Sequence, residues 1–325
     1  MRSTVRNTSP GSANRGSQDN LYPIRYIVVL IVFWFTPTLF GQSQFNTFLT
    51  PSDSLNVQRR NLVVISESVL ATGSLIALNQ LWYADYPQSS FHFKNDNAQW
   101  LQMDKAGHVY ASYHIGRVGA EVLNWSGTDK KSRLLYGATL GFGFLTVVEV
   151  FDGYSAQWGA SWGDIVANAS GTALYVSQEL LWEEQRIVPK FSFHTTPYAA
   201  ARPNVLGASF NEQILKDYNG QTYWLSANVH SFFKVSQIPK WLNIATGYGA
   251  AGMITGDDAL VNTVFFPEKE RTRQFYLSLD VDLTRIQTNS QALKTIFSIF
   301  NTIKIPAPTL EINSSGKSRF HMLYF

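Results

Sequence analysis

The sequence contains no cysteine, which excludes disulfides, thiolate metal sites and cysteine nucleophiles, and leaves no acceptor for N-terminal lipidation. Charge is also scarce. Lys, Arg, Asp and Glu make up 15% of the residues, against roughly 25% in soluble domains. The short motifs of common catalysts are missing as well: there is no phosphate-binding loop, no dinucleotide fingerprint, no H-E-x-x-H and no G-x-S-x-G. No internal repeat is visible. Aromatic residues, by contrast, are plentiful, with 22 Phe, 15 Tyr and 9 Trp. Few charges and many aromatics suit a chain that meets lipid, because Trp and Tyr rings favour the headgroup boundary.

Residues 1–20 are rich in Ser, Asn, Gly and Arg and read as disordered. Arg25 then precedes an apolar run over residues 26–40, followed by Gly41-Gln42-Ser43. A basic region, a short apolar core and small residues at the cleavage positions predict a secretory signal over residues 1–43; an uncleaved anchor is the alternative. The apolar run is shorter than the roughly 20 residues a spanning helix needs, and Pro37 interrupts it. Loss of Arg2, Arg6, Arg15 and Arg25 with Asp19 takes the 26 basic and 23 acidic side chains to 22 of each. The mature chain then has no net charge, and nucleic-acid binding loses its support.

Residues 44–188 read as a helical-bundle domain and residues 189–325 as a β-rich region, an α+β chain. Helical periodicity covers residues 61–83, 103–123, 133–152 and 161–182, joined by short connections that predict an antiparallel four-helix bundle. Gly137, Gly141 and Gly143 would allow close helix approach. After Pro189 the period becomes two, over residues 190–195, 222–230 and 273–283. Residues 291–303 predict an amphipathic helix ended by Pro306 and Pro308, and residues 309–325 a terminal hairpin. Six or seven strands fall short of the smallest membrane barrels, so a sheet packed on the helices or against the membrane is expected rather than a pore.

Polar residues recur at helical spacing within the apolar helices. Asp104 and His108 stand four apart, Glu149 and Asp152 three apart, and Asp164 and Asn168 four apart. Antiparallel helices would bring all six to one end of the bundle. His108, Glu149 and Asp164 could then hold a divalent transition metal, since imidazole favours zinc, manganese or iron over calcium. Asp104, His108, Glu149 and Asp164 could equally act without metal, a carboxylate orienting His108 as a general base, with Asp152 and Asn168 in support. The plainer reading is a polar cluster that fixes helix register, with Asp164 as a cap or first-turn acid. Asn95-Asp96-Asn97, residues 217–220 and residues 159–163 read as turns and a tight connection.

The ordered motifs Asp104-Lys105-Ala106-Gly107-His108, Glu149-x-x-Asp152-Gly153 and Trp158-Gly-Ala-Ser-Trp-Gly-Asp164-x-x-x-Asn168-x-x-Gly171 resemble the YfiM-like family of predicted periplasmic lipoproteins. Gln185, the run from Lys190, Arg202-Pro203 and the stretch from Lys216 to Trp224 resemble its longer Bacteroidetes-type members. A more distant similarity is to the VanZ-like membrane proteins, which also set Asp-Lys-x-x-His on one helix. The resemblance implies an envelope location and no particular activity. The chain departs from it in lacking the lipoprotein cysteine. The expected role is structural or lipid-binding, at a membrane whose lipid is the partner. The alternative is a metal- or His-dependent hydrolase or transferase of an envelope lipid or glycan, and a third is a transport or assembly component using the β-rich half as a partner surface.

Overall fold

The structure, a computed structural model, describes residues 42–84, 86–256 and 270–325. The expected signal sequence lies, but for its last two residues, outside the described residues. The chain divides into two units, Met1–Phe48 and Leu49–Phe325. Of the first, the helix Gln42–Leu49 is described. The account below concerns the second, which mixes helices with an antiparallel sheet.

Four long helices form where the periodicity places them: α1 (Val57–Leu78), α2 (Met103–Trp125), α3 (Leu140–Tyr154) and α4 (Trp162–Leu181). Side chains cap two of the starts. Asn56 accepts from the Arg59 N–H at 3.0 Å, and Ser161 from the Asp164 N–H at 3.3 Å. Asp164 is thus a first-turn acid, and Ser161 is the cap. The bundle differs from the expected one. Helices α2, α3 and α4 pack on one another, whereas α1 joins α2 near one end, through Asn56 N–H to the Ser126 carbonyl and Arg59 over Trp125. Most of α1 is exposed and apolar, including Leu62, Ile65, Val69 and Leu70. The segments Val57–Leu78 and Lys130–Tyr154 are each long and apolar enough to cross a membrane by length and composition. The second buries Gly141, Leu145 and Glu149 against its neighbours, while Leu135, Tyr136, Val147, Val150 and Tyr154 are exposed.

Glycine sets the closeness of the three-helix core. A Cβ on Gly141 would come 2.1 Å from the Ser112 carbonyl oxygen of α2, and one on Gly171 of α4 2.2 Å from the Val109 carbonyl oxygen. Gly143, expected to share this role, faces open space.

The sheet is a meander in the order β1 (Ile187–Phe193), β2 (Gln221–Asn228), β3 (Leu242–Ala251), β4 (Thr272–Val281), β5 (Ala307–Asn313) and β6 (Ser318–Tyr324), antiparallel throughout. The expected amphipathic helix, α5 (Gln291–Phe300), connects β4 to β5. Beyond it the chain returns to the free edge of β1: Phe191 N–H donates to the Thr302 carbonyl at 2.9 Å, and Lys304 N–H to the Phe191 carbonyl at 3.0 Å. The sheet is therefore curled back on itself.

Its polarity is inverted. Along β4, Phe275, Leu277 and Leu279 are exposed, whereas Tyr276, Ser278 and Asp280 are buried. The exposed apolar residues are direct cross-strand neighbours, in the pairs Ile244–Leu279, Phe275–Ile312, Leu277–Leu310 and Leu310–Phe320. Inside the curl, Lys190 pairs with Asp280 at 2.8 Å, both fully buried. Lys304 lies 3.8 Å from the other Asp280 oxygen and also over Trp224. Strands of soluble antiparallel sheets turn apolar residues inward and polar ones outward. Here the alternation runs the other way, as it does where a sheet's outer face meets lipid.

Candidate functional site

The end of α2, α3 and α4 named above is a polar centre. Helix α2 enters it from three successive left-handed residues, Trp100, Leu101 and Gln102, with φ of 48°, 51° and 63°. Such residues cost roughly 1–3 kcal/mol each and persist where the surroundings hold them. Here the Trp100 N–H donates to the Gly256 carbonyl at 3.1 Å, while Tyr248 and Arg273 both donate to the Leu101 carbonyl. The first turns of α2 then present Asp104, Lys105 and His108.

His108 is the hub. Its Nδ1–H donates to Asn168 Oδ1 at 2.9 Å, which leaves Nε2 directed away from Asn168. Around Nε2 stand Asp104 Oδ1 at 3.8 Å, Glu149 Oε1 at 3.8 Å and Asp164 Oδ1 at 3.7 Å. Donor atoms of Asp104, His108 and Asp164 all lie within 4.8 Å of one another. Glu149 is held from behind by the Ser161 N–H, which donates to Oε2 at 2.9 Å. Its Oε1 and the Oδ1 of Asp164 are buried and, among the described residues, have no hydrogen-bond partner.

A second layer surrounds this hub. Lys105 Nζ bonds Asp96 at 2.5 Å, Asp164 at 2.9 Å and Asp104 at 3.2 Å. Ser161 Oγ donates to Asp96 at 2.5 Å, and Tyr218 OH to Asp104 Oδ1 at 2.9 Å. Asp152 stands apart from Nε2, its carboxylate accepting from Tyr83 OH at 2.8 Å. Of the six sequence candidates, the structure gathers Asp104, His108, Glu149, Asp164 and Asn168 directly, with Asp152 beside them.

Sequence reading overlooked Asp96, Lys105, Ser161 and Tyr218. Asp96 lies in the expected turn at residues 95–97 and Tyr218 in the one at residues 217–220. Asp217 does form that turn, accepting from the Asn219 N–H at 3.1 Å. Turn chemistry accounts for the backbone there and says nothing of where Tyr218 reaches. Lys105, one residue from Asp104 within the quoted motif, was the legible signal.

Four carboxylates, Asp96, Asp104, Glu149 and Asp164, thus face two cations, Lys105 and His108. Burial pushes Glu149 up to about 8, against the Ser161 N–H and His108, which lower it. Burial and then the Asp104 charge raise Asp164 to about 6, and burial raises Asp152 to about 7. Burial acts to lower His108, yet Asp104, Asp164 and Glu149 outweigh it and hold the imidazole above its ordinary range. The centre is short of positive charge.

A cation would supply it. Zinc-type bonds to imidazole nitrogen and carboxylate oxygen are roughly 2.0–2.2 Å long. The 3.7–3.8 Å separations from Nε2 fall below twice that length, so one ion can reach Nε2 and each oxygen in turn. The Asn168 carbonyl behind Nδ1 fixes the tautomer such a ligand needs.

No curated protein and no solved structure matches the chain. Residues 92–179, which contain all six sequence candidates together with Asp96, Lys105 and Ser161, match the model of the family described as predicted periplasmic lipoprotein (DUF2279), and the protein is accordingly one of the periplasmic side of the cell envelope.

Proposed function

We propose that the protein is a membrane-docked envelope hydrolase or transferase whose centre holds a divalent transition metal between Asp104, His108, Glu149 and Asp164. The observation that carries this reading is the pair of buried oxygens, Glu149 Oε1 and Asp164 Oδ1, that have no hydrogen-bond partner among the described residues and stand 3.8 and 3.7 Å from His108 Nε2. An unpaired buried acceptor costs about 1–3 kcal/mol, more when charged, and a cluster serving only to fix helix register would have paired both. Lys105 and its three carboxylates perform that register role and leave the Nε2 face unexplained. One imidazole with carboxylates suits zinc, manganese or iron. A metal so held lowers the pKa of a bound water and polarises a carbonyl or phosphoryl oxygen. Asn168 orients His108, and Asp152, anchored by Tyr83, adds negative charge nearby. The likeness to the YfiM-like and, more distantly, VanZ-like proteins forms part of this reading.

Lipid is the partner we assign to the outer surface. The apolar outer sheet face, exposed α1 and the exposed side of α5, with Ile296, Ile299 and Phe300, support docking at a membrane. The same surface supports a lipid-binding role without chemistry, which the metal test separates. Detergent-purified wild-type protein is expected to carry about one equivalent of transition metal, and His108→Ala close to none. After dialysis against chelator, Zn²⁺, Mn²⁺ or Fe²⁺ should raise the wild-type Tm, by about 2.7 kcal/mol of stability at a hundredfold excess over Kd, and leave the variant unmoved. A wild-type protein that carries no metal and does not respond to any of the three ions overturns the assignment.

A further inference from the structure

Beside the centre lies a cleft of about 380 Å³ whose lining has a one-sided charge. Lys94, Arg202 and Lys216 line it, and among the described residues no Asp or Glu does. Among the described residues none of these three cations has a carboxylate partner. Arg202 donates to the Ile254 carbonyl at 2.9 Å, and Lys216 Nζ stands 5.0 Å from the centre of the Trp82 ring. The neighbouring cleft of about 460 Å³, lined by Tyr83, Pro87 and Phe151 among others, has no cation in its lining.

Two walls connect the cationic cleft to the polar centre. Tyr218 lines it and donates to Asp104 Oδ1 at 2.9 Å. Lys94 is fixed by its backbone N–H to the Ala160 carbonyl at 3.0 Å, immediately before Ser161, whose own N–H holds Glu149. Trp82, Trp100 and Trp158 complete the lining with flat apolar surface. Three cations with no carboxylate partner among the described residues suit a phosphate, since charge-assisted hydrogen bonds to phosphate are about twice as strong as neutral ones. Aromatic walls suit the less polar remainder of a headgroup.

We propose that this cleft binds the anionic phosphate of the substrate, placing a phosphate-bearing headgroup beside the metal centre. The assignment of the bound group as substrate rests on the metal reading above; the anion site itself does not. The test uses the full chain in uncharged detergent, dialysed free of metal, with calorimetric titration of inorganic phosphate, dihexanoyl phosphatidic acid and dihexanoylglycerol. Both phosphate probes should bind and the phosphate-free glyceride should not. Tighter binding of phosphatidic acid identifies a lipid headgroup as the source, and equal affinities identify a free or sugar-borne phosphate. Arg202→Gln and Lys216→Gln should each weaken phosphate binding about tenfold, while His108→Ala loses its metal and keeps its phosphate affinity. Lack of binding to metal-free wild type, or unchanged affinity in both cation variants, overturns the proposal and leaves the metal reading standing. Loss of phosphate binding in His108→Ala would place the anion at the polar centre and overturn the cleft equally.

Discussion

Two of the places where the protein buries charge are built differently. Inside the curled sheet, Asp280 meets Lys190 and Lys304 and accepts from Ser226 Oγ at 2.6 Å and the Ile305 N–H at 3.1 Å. Lys190 donates onward to the Val281 carbonyl, and Lys304 to those of Leu279 and Ile305. Each charged group there has its partners. At the helix ends, carboxylates outnumber cations, and two oxygens that have no hydrogen-bond partner among the described residues stand 3.7–3.8 Å from an imidazole nitrogen. Burying an ion costs several kcal/mol unless it is paired and bonded. The sheet network meets that cost from within the chain. On the proposed reading the helical centre would meet it in full with an ion from outside, and this difference would separate a structural cluster from a site.

The contrast can be broken most directly by removing an acid from each. Asp280→Ala leaves two lysines buried without their counter-charge and is expected to cost about 3–5 kcal/mol in urea unfolding. Glu149→Gln, in metal-free protein near neutral pH, replaces a side chain whose burial already favours the neutral form and should change stability by less than about 1 kcal/mol. Equal losses would mean that the helical centre is as self-sufficient as the sheet.

A smaller effect appears with pH. Burial holds Lys304 down to about 8 from 10.5, against the Asp280 charge, which raises it. Between those values the unfolded chain binds the proton that the folded chain has lost. Stability should therefore rise with pH across that window, by at most about 1.4 kcal/mol per pH unit. Lys304→Met should abolish the rise, and a wild-type profile flat from pH 8 to 10 would show that Asp280 neutralises Lys304 fully.

The smallest change concerns stability and the largest concerns location. Leu277→Lys on the outer face should alter unfolding in detergent by less than about 0.5 kcal/mol, as an exposed substitution does. The same change should reduce co-sedimentation with phosphatidylglycerol–phosphatidylethanolamine vesicles severalfold. Undiminished sedimentation would remove the sheet from the docking surface.

Much of the helical half was legible because periodicity and short connections constrain antiparallel helices strongly. The convergence of Asp104, His108, Glu149, Asp164 and Asn168 followed from helix ends alone. What the loops contribute did not follow, since Asp96 and Tyr218 arrive from turns whose local chemistry is self-explanatory. The mostly exposed course of α1 among the described residues was equally hidden, because an apolar helix reads the same whether protein or lipid surrounds it. In the sheet, strand β3 escaped because Gly247, Gly249, Ala245 and Ala250 blur its alternation. Gly247 has a tertiary cause: a Cβ there would come 2.6 Å from the Trp224 ring. The inversion was beyond reach, since a period of two distinguishes two faces without saying which is inside.

The buried ion network also bears on the order in which the molecule assembles. Lys190 and Val281, bonded through the lysine ammonium, are 91 residues apart along the chain, and Lys304 joins them from beyond α5. Contacts of such long sequence separation pay their loop-closure entropy before they return any stability, so they form late and slowly. Until the last of them closes, the strands keep three ions hydrated and an apolar outer face bare. Nascent chains are therefore most prone to aggregate in this interval, and a membrane surface or a holding chaperone has most to offer them there.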